Sequence, residues 1–150
     1  MSVIVWGGRR IAADKQAISS DMRAQTTKIQ RLKSGEVAAW TGEQSYGLAL
    51  VRWYEEGANR EKWPAFQRDK ESWTRLIIAS ARGVVFFELE PEAQIVEEPF
   101  MAWGSGRDFA MGALAKGATV EEAVAIASRF CITCGLGVDV MELTEEACRK

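Results

Sequence analysis

The sequence contains no histidine, and that absence removes a large part of enzyme chemistry. Ser-His-Asp and Cys-His mechanisms lose their base, and zinc sites built on imidazole lose their ligand. Cysteine is scarce and odd in number, at three, which does not make a secreted disulfide framework in a domain of this size. Cys131 and Cys134 form one C-x-x-C, "CITC", with only Cys148 in reserve. That is short of a zinc site, and the pair is expected to be buried, unreactive thiols at a helix end. No apolar run approaches the length of a membrane span, and the first fifteen residues lack the continuous apolar stretch of a secretory signal. A P-loop is missing too. The dinucleotide-binding pattern begun by Gly104 and Gly106 fails at Phe109, where its third glycine belongs. "WGSGRD" is no nucleophile elbow, because Trp103 stands at the first glycine position. The expectation is a cytoplasmic protein with no cofactor, no metal and no membrane segment.

Charge of one sign is also lacking. Lysine and arginine number 19 against 21 aspartates and glutamates, so a general polyanion-binding role has little support and no nucleic-acid partner is expected. Residues 1–35 carry seven basic and two acidic side chains, but these are dispersed and read as a solvated face. What the chain has in quantity is apolar surface: 47% apolar residues and six tryptophans in 150 residues. That composition suits one domain, 1–150, with a substantial core.

"SVIVW" and "RRIAAD" flank a Gly-Gly pair able to take positive φ, which predicts a β-hairpin. "TTKIQRL", "SGE" and "VAAW" predict a second. "TGEQSYGLALVRWYEEG" predicts an amphipathic helix with a capping box of Thr41 and Gln44 and a stop at Gly57. A polar stretch, "NREKWPAFQRDKES", reads as a loop or broken helix. Strands are expected at "WTRLIIAS" and "VVFFELE", then, after an acidic connection, at "FMAW". Two helices follow, one from near Ser105 to Gly117 and one capped by Thr119 with Glu122, and "VDVMEL" closes the chain as a strand. Strands therefore come in adjacent pairs, which favours antiparallel sheets. The apolar runs "LIIAS" and "VVFF" lack alternation, as strands covered on both faces do. The fold class expected is α+β, a four-layer α/β/β/α sandwich of two antiparallel sheets.

Without histidine, one base remains near neutrality: the chain's own α-amine, with a reference pKa of about 7.7–8.0. Ser2 would carry it once Met1 was removed, and the freed amine could take the proton of Ser2's own hydroxyl, directly or through a water. Several segments then fall in a familiar order. These are a hydroxyl residue at the mature start, "IAADKQA" after a hairpin, "TTKIQRL", a small-residue strand leading into "WTGEQSYGLAL", and "AWGSGRDFAMGALA". In that order, over nearly the whole length, the chain resembles proteasome β-type subunits and HslV-like peptidases of the Ntn-hydrolase superfamily, the small bacterial proteasome homologues above all.

The resemblance implies a threonine-type endopeptidase that uses serine. Ser2 would be nucleophile and base, Asp14 the family's acid, and Lys28 its lysine, whose ammonium favours the alkoxide while the carboxylate orients it. Ser105 would sit by the α-amine and help hold a relaying water, and the backbone N–H of Ala39 would face the developing oxyanion. Taken one at a time, the same residues have plainer readings: Ser2 an exposed strand start, Asp14 and Lys28 an ordinary ion pair, Ser105 a helix N-cap. Cys131 and Cys134 stand where many relatives carry an acid and a serine. The implied assembly is a homo-oligomer of two stacked rings of six or seven, with exposed apolar residues such as Trp53 or Trp63 as subunit contacts. It would act on unfolded polypeptide and work with an AAA+ ATPase unfoldase. A catalytically silent ring acting as a scaffold, and an Ntn amidohydrolase of small amides, are the alternatives.

Overall fold

The computed structural model describes residues 2–65 and 74–144. Met1, the "FQRDKES" part of the long connection, Trp73 and the C-terminal stretch with Cys148 lie outside the described residues. The chain opens with β1 (Ile4–Gly7) and β2 (Arg10–Asp14), paired antiparallel with Ile4 opposite Ala13. Their two-residue turn begins at Gly8, φ +61, the sign a type II′ turn requires at its first central position. Next comes a hairpin that the sequence reading did not anticipate, β3 (Gln16–Ser19) with β4 (Met22–Gln25).

β5 (Ile29–Arg31) and β6 (Val37–Thr41) form the expected second hairpin. α1 (Gln44–Glu55) then departs from expectation at its start. Thr41 is the last residue of β6, and Glu43 precedes the helix without any side-chain cap bond. The capping box fails because Gln44 is used elsewhere: its Oε1 accepts from Trp40 Nε1 at 2.9 Å and its Nε2 donates to the Thr27 carbonyl at 3.2 Å. Gly57, φ +108, ends the helix as expected. After one 3₁₀ turn, Arg60–Lys62, β7 (Arg75–Ser80) and β8 (Gly83–Phe87) pair. The acidic connection adds a two-residue strand, β9 (Gln94–Ile95).

β10 (Phe100–Trp103) leads to α2 (Arg107–Ala115), which begins two residues after Ser105 and has no side-chain cap. α3 (Val120–Phe130) has the predicted capping box, with Glu122 N–H donating to Thr119 Oγ1 at 3.1 Å. β11 (Val138–Glu142) pairs with β2.

One sheet has strand order β10-β1-β2-β11 and the other β5-β6-β7-β8-β9, every pairing antiparallel. Strand alternation divides their side chains between two kinds of neighbour. Ile4, Ile11, Ile29, Val37 and Ile77 meet between the sheets. Val3, Val5 and Ala12, on the far face of the first sheet, pack under α2 and α3. Leu76, Ile78 and Trp40, on the far face of the second, pack under α1. The result is the expected α/β/β/α sandwich. β7 shows why its sequence lacks alternation: Leu76 and Ile78 face the helix, Ile77 and Ala79 the other sheet. Each fully buried isoleucine or leucine contributes about 2 kcal/mol, so one strand placed between two apolar surfaces stabilises the domain along its whole length. Among the described residues no helix is long and apolar enough to cross a membrane.

Candidate active site

Ser2 is 1% exposed, which contradicts the reading of it as a solvent-exposed strand start. It lies immediately before β1, and its carbonyl accepts from the Gly106 N–H at 3.2 Å. Gly104, φ +98, makes that approach possible: a Cβ there would lie 2.1 Å from the Ser2 carbonyl oxygen. The Ser2 nitrogen donates to Ser105 Oγ at 3.1 Å. Ser105 therefore serves the chain start rather than the start of α2, and the N-cap reading fails. Ser2 Oγ is buried and has no hydrogen-bond partner among the described residues.

One residue further on, Val3 N–H donates to Asp14 Oδ1 at 2.9 Å. Asp14 closes β2, is fully buried, and also takes the N–H groups of Gln16 at 3.2 Å and Gly135 at 3.0 Å on Oδ2. Lys28 Nζ lies 2.8 Å from Asp14 Oδ1 and is 5% exposed. Four donors on one carboxylate fill its acceptor positions, so Asp14 has little freedom to move and holds the ammonium in one place. A buried pair of this kind contributes less to stability than its separation implies, since both charges were desolvated to form it. The plain surface ion pair is thereby set aside.

Ser2 and Lys28 line a cleft of about 750 Å³, together with Gly42, Gln44, Ser45 and Leu48 among others. Ala39 does not belong to it. The residue sits mid-strand, paired with Ile29 on one side and Ile77 on the other, with its methyl in the core between the sheets. The expectation that its N–H faces the cleft fails because the ladder continues to Thr41. This part of the chain lines the cleft through Trp40 and then Gly42, φ +87.

The thiols are closer to this machinery than the sequence indicated. Cys131 Sγ is 3.8 Å and Cys134 Sγ 3.7 Å from Ser105 Oγ, and Thr133 Oγ1 is 2.6 Å from the same atom. Cys134 is pushed up to about 12 by burial and by the charge of Asp14. At Cys131, burial pushes upward but the hydrogen bonds it shares with Thr133 and Ser105 outweigh it, so that thiol lies below its ordinary value. Thr133 was not singled out from the sequence, because a threonine inside C-x-x-C carries no motif of its own. Among the described residues no cluster of His, Cys, Asp or Glu is fit to hold a metal ion.

No family model and no curated protein sequence matches the chain. Solved structures do. HslV from Trypanosoma brucei superposes with a TM-score of 0.73 at 19% identity, covering 96% of this chain and 99% of that one. The BPH protein of Thiobacillus denitrificans, solved in complex with epoxomicin, gives 0.68 at 23% identity over 95% of this chain and 98% of its own. A mutant of Anbu from Hyphomicrobium sp. strain MC1 gives 0.69 at 16% identity over 95% and 82%. Sequence identity this low leaves few side chains in common, while the backbone path agrees from end to end. The chain has the α/β/β/α sandwich fold of the HslV and BPH structures.

Proposed function

We propose that the chain is a subunit of a self-compartmentalising peptidase whose nucleophile is Ser2, made N-terminal by removal of Met1. The observation that carries this reading is that Ser2 and Lys28 line one cleft, with the Ser2 nitrogen held by Ser105 and the lysine held by Asp14. In the reaction, the freed amine takes the Ser2 Oγ proton, directly or through a water, and the oxygen attacks a peptide carbonyl. The Lys28 ammonium stabilises the negative charge as it develops. The tetrahedral intermediate expels the amine half of the substrate and leaves an ester on Ser2, which water then hydrolyses. Asp14 is a positioning residue for Lys28, and Ser105 for the amine. We assign the oxyanion N–H to Gly42 in place of Ala39, since Gly42 lines the cleft.

Removal of Met1 is the step on which this chemistry depends, because an amide nitrogen at Ser2 is not a base. Intact-mass measurement on peptidase-active protein from its native cell is expected to show loss of one methionine. Active protein that retains Met1 in full would end the proposal. An epoxyketone, which bonds first to the terminal hydroxyl and then to the adjacent amine, is expected to attach at Ser2 and nowhere else. A processed, folded protein that stays unlabelled would favour the silent scaffold.

Ring assembly is part of the same reading, but the surface that supports it differs from the one expected. Trp53 is 4% exposed and packs edge-on against Trp63 and Phe87, so it is core and no subunit contact. Among the exposed apolar residues, Phe109 on α2 and Phe130 on α3 stack at 5.7 Å, and Ile126 of α3 is exposed as well. An exposed aromatic pair of this kind suits a contact surface. Light scattering is expected to give a double ring of six or seven copies, and a monomer at micromolar concentration would reject both the peptidase ring and the scaffold. Unfolded polypeptide as substrate, and an AAA+ unfoldase as partner, complete the reading.

A further inference from the structure

The C-x-x-C turn does more than fill space. Cys134 N–H donates to the Cys131 carbonyl at 3.1 Å, closing a four-residue turn. The end Cα atoms of such a turn lie within about 7 Å of each other, which overlaps the range of about 4.4–6.8 Å that a disulfide spans. Both sulfurs already converge on one oxygen, Ser105 Oγ, and the two thiols interact directly with each other. They differ in access: Cys131 is half-buried, while Cys134 is 4% exposed. One is placed to meet a small oxidant and the other to wait behind it.

We propose that Cys131 and Cys134 form a reversible dithiol–disulfide site oxidised by hydroperoxides, and that closing the disulfide slows chemistry at Ser2 by withdrawing sulfur contacts from Ser105. The second half rests on the peptidase reading; the first does not. Cys131 attacks the outer oxygen of the hydroperoxide as its thiolate, the O–O bond breaks, and the departing alkoxide takes up the thiol's proton to leave as an alcohol. Cys131 is then a sulfenic acid. The Cys134 sulfur attacks the Cys131 sulfur, the S–O bond breaks, and hydroxide leaves with the Cys134 proton as water. Two thiols lose two electrons and one hydroperoxide gains them. The order of attack agrees with the chemistry of the two sulfurs, since Cys131 is shifted towards the thiolate and Cys134 is held as the neutral thiol.

In the disulfide the sulfurs lie about 2.05 Å apart with a fixed torsion and no S–H group. Ser105 Oγ cannot then keep both present contacts, and Thr133, between the two cysteines, moves with them. Because Ser105 Oγ accepts from the Ser2 nitrogen and donates toward the Ser2 carbonyl, the disturbance reaches the proposed nucleophile and base within one residue.

The experiment takes the full-length, Met1-processed protein, treats it with a small excess of hydrogen peroxide, alkylates it under denaturing conditions and maps the peptides. The expected result is a Cys131–Cys134 bridge, a mass lower by about 2 Da, and full reversal by dithiothreitol. Cys134→Ser is expected to stop at a Cys131 sulfenic acid that dimedone traps. Epoxyketone labelling of Ser2 is expected to slow by about five- to tenfold on oxidation, the effect of one lost or misaligned hydrogen bond. In Cys131→Ala it is expected to run at one rate with and without peroxide. Complete alkylation of both cysteines after peroxide would overturn the site. A bridge that leaves the labelling rate unchanged would overturn the coupling. A bridge in protein that never labels in either state would reject the peptidase reading and leave the dithiol site standing.

Discussion

Lys28→Ala is expected to slow epoxyketone labelling of processed Ser2 by about a hundred- to a thousandfold, the loss typical when a preorganised stabiliser of developing negative charge is removed. The size follows from where the charge sits. The ammonium is 5% exposed and fixed 2.8 Å from Asp14, so its charge is held in one place beside the cleft. Removing it also leaves Asp14 as a buried carboxylate with only backbone partners, which costs about 3–5 kcal/mol of stability. Labelling must therefore be measured at a temperature where circular dichroism shows the variant folded. Lys28→Arg separates charge from placement, because the guanidinium is a planar fork where the ammonium is a compact point, and little recovery is expected. Asp14→Asn is expected to impair labelling through a different route. Its amide brings N–H groups to a site where Val3, Gln16, Gly135 and Lys28 all donate, so one donor must turn away and Lys28 loses its anchor. A folded Lys28→Ala protein that labels at the wild-type rate would leave the silent scaffold as the better reading.

What could be seen in advance followed from local rules acting alone. The β1–β2 hairpin was legible because its turn demands glycine, and α3 because Thr119 and Glu122 satisfy each other within four residues. The same signature at Thr41 and Gln44 misled, since β6 and Trp40 compete for those two residues and tertiary pairing won. The β3–β4 hairpin left no pattern to read: all four residues of β4 are exposed, and an exposed strand shows no alternation. Trp53 was placed on the surface because helical spacing gives an apolar stripe but not what lies opposite, and here Trp63 and Phe87 cover it.

The site divides in the same way. Asp14 and Lys28 could be nominated from their order along the chain, but that Asp14 also holds Val3, and through it the strand that carries Ser2, is a matter of packing. That Ala39 lies mid-strand, with its methyl in the core, is not legible either, because sequence does not say where a strand ends. The surroundings of the thiols are hidden from the sequence for a related reason. Spacing shows that two cysteines are near each other, and only the folded chain shows that both face Ser105.

Gly104→Ala is expected to have the largest effect of any single methyl added to this protein. Gly104 follows β10 at φ +98, where a side chain is strained by about 1–3 kcal/mol. Its new Cβ would meet the Ser2 carbonyl oxygen at 2.1 Å, the carbonyl carbon at 2.7 Å and Oγ at 3.1 Å. The first two atoms are main chain and cannot swing aside. Either the end of β10 or the start of β1 must shift, and Ser2 then loses the Gly106 N–H and Ser105 contacts that hold its carbonyl. Overpacking adds about 1–3 kcal/mol to the strain, so a melting temperature lower by roughly 10 °C is expected for a chain of this length. Labelling of Ser2 is expected to fall by about a hundredfold in the protein that remains folded, the effect of misplacing a reacting atom by an ångström. Gly57→Ala is the control, because Gly57 has φ +108 and nothing within 4 Å of the added methyl. It carries the strain without the collision, and it is expected to lose stability alone, by about 1 kcal/mol, with Ser2 labelling unaltered. If Gly104→Ala melts and labels as Gly57→Ala does, then Ser2 is not seated against this turn, and the placement of the proposed nucleophile fails with it.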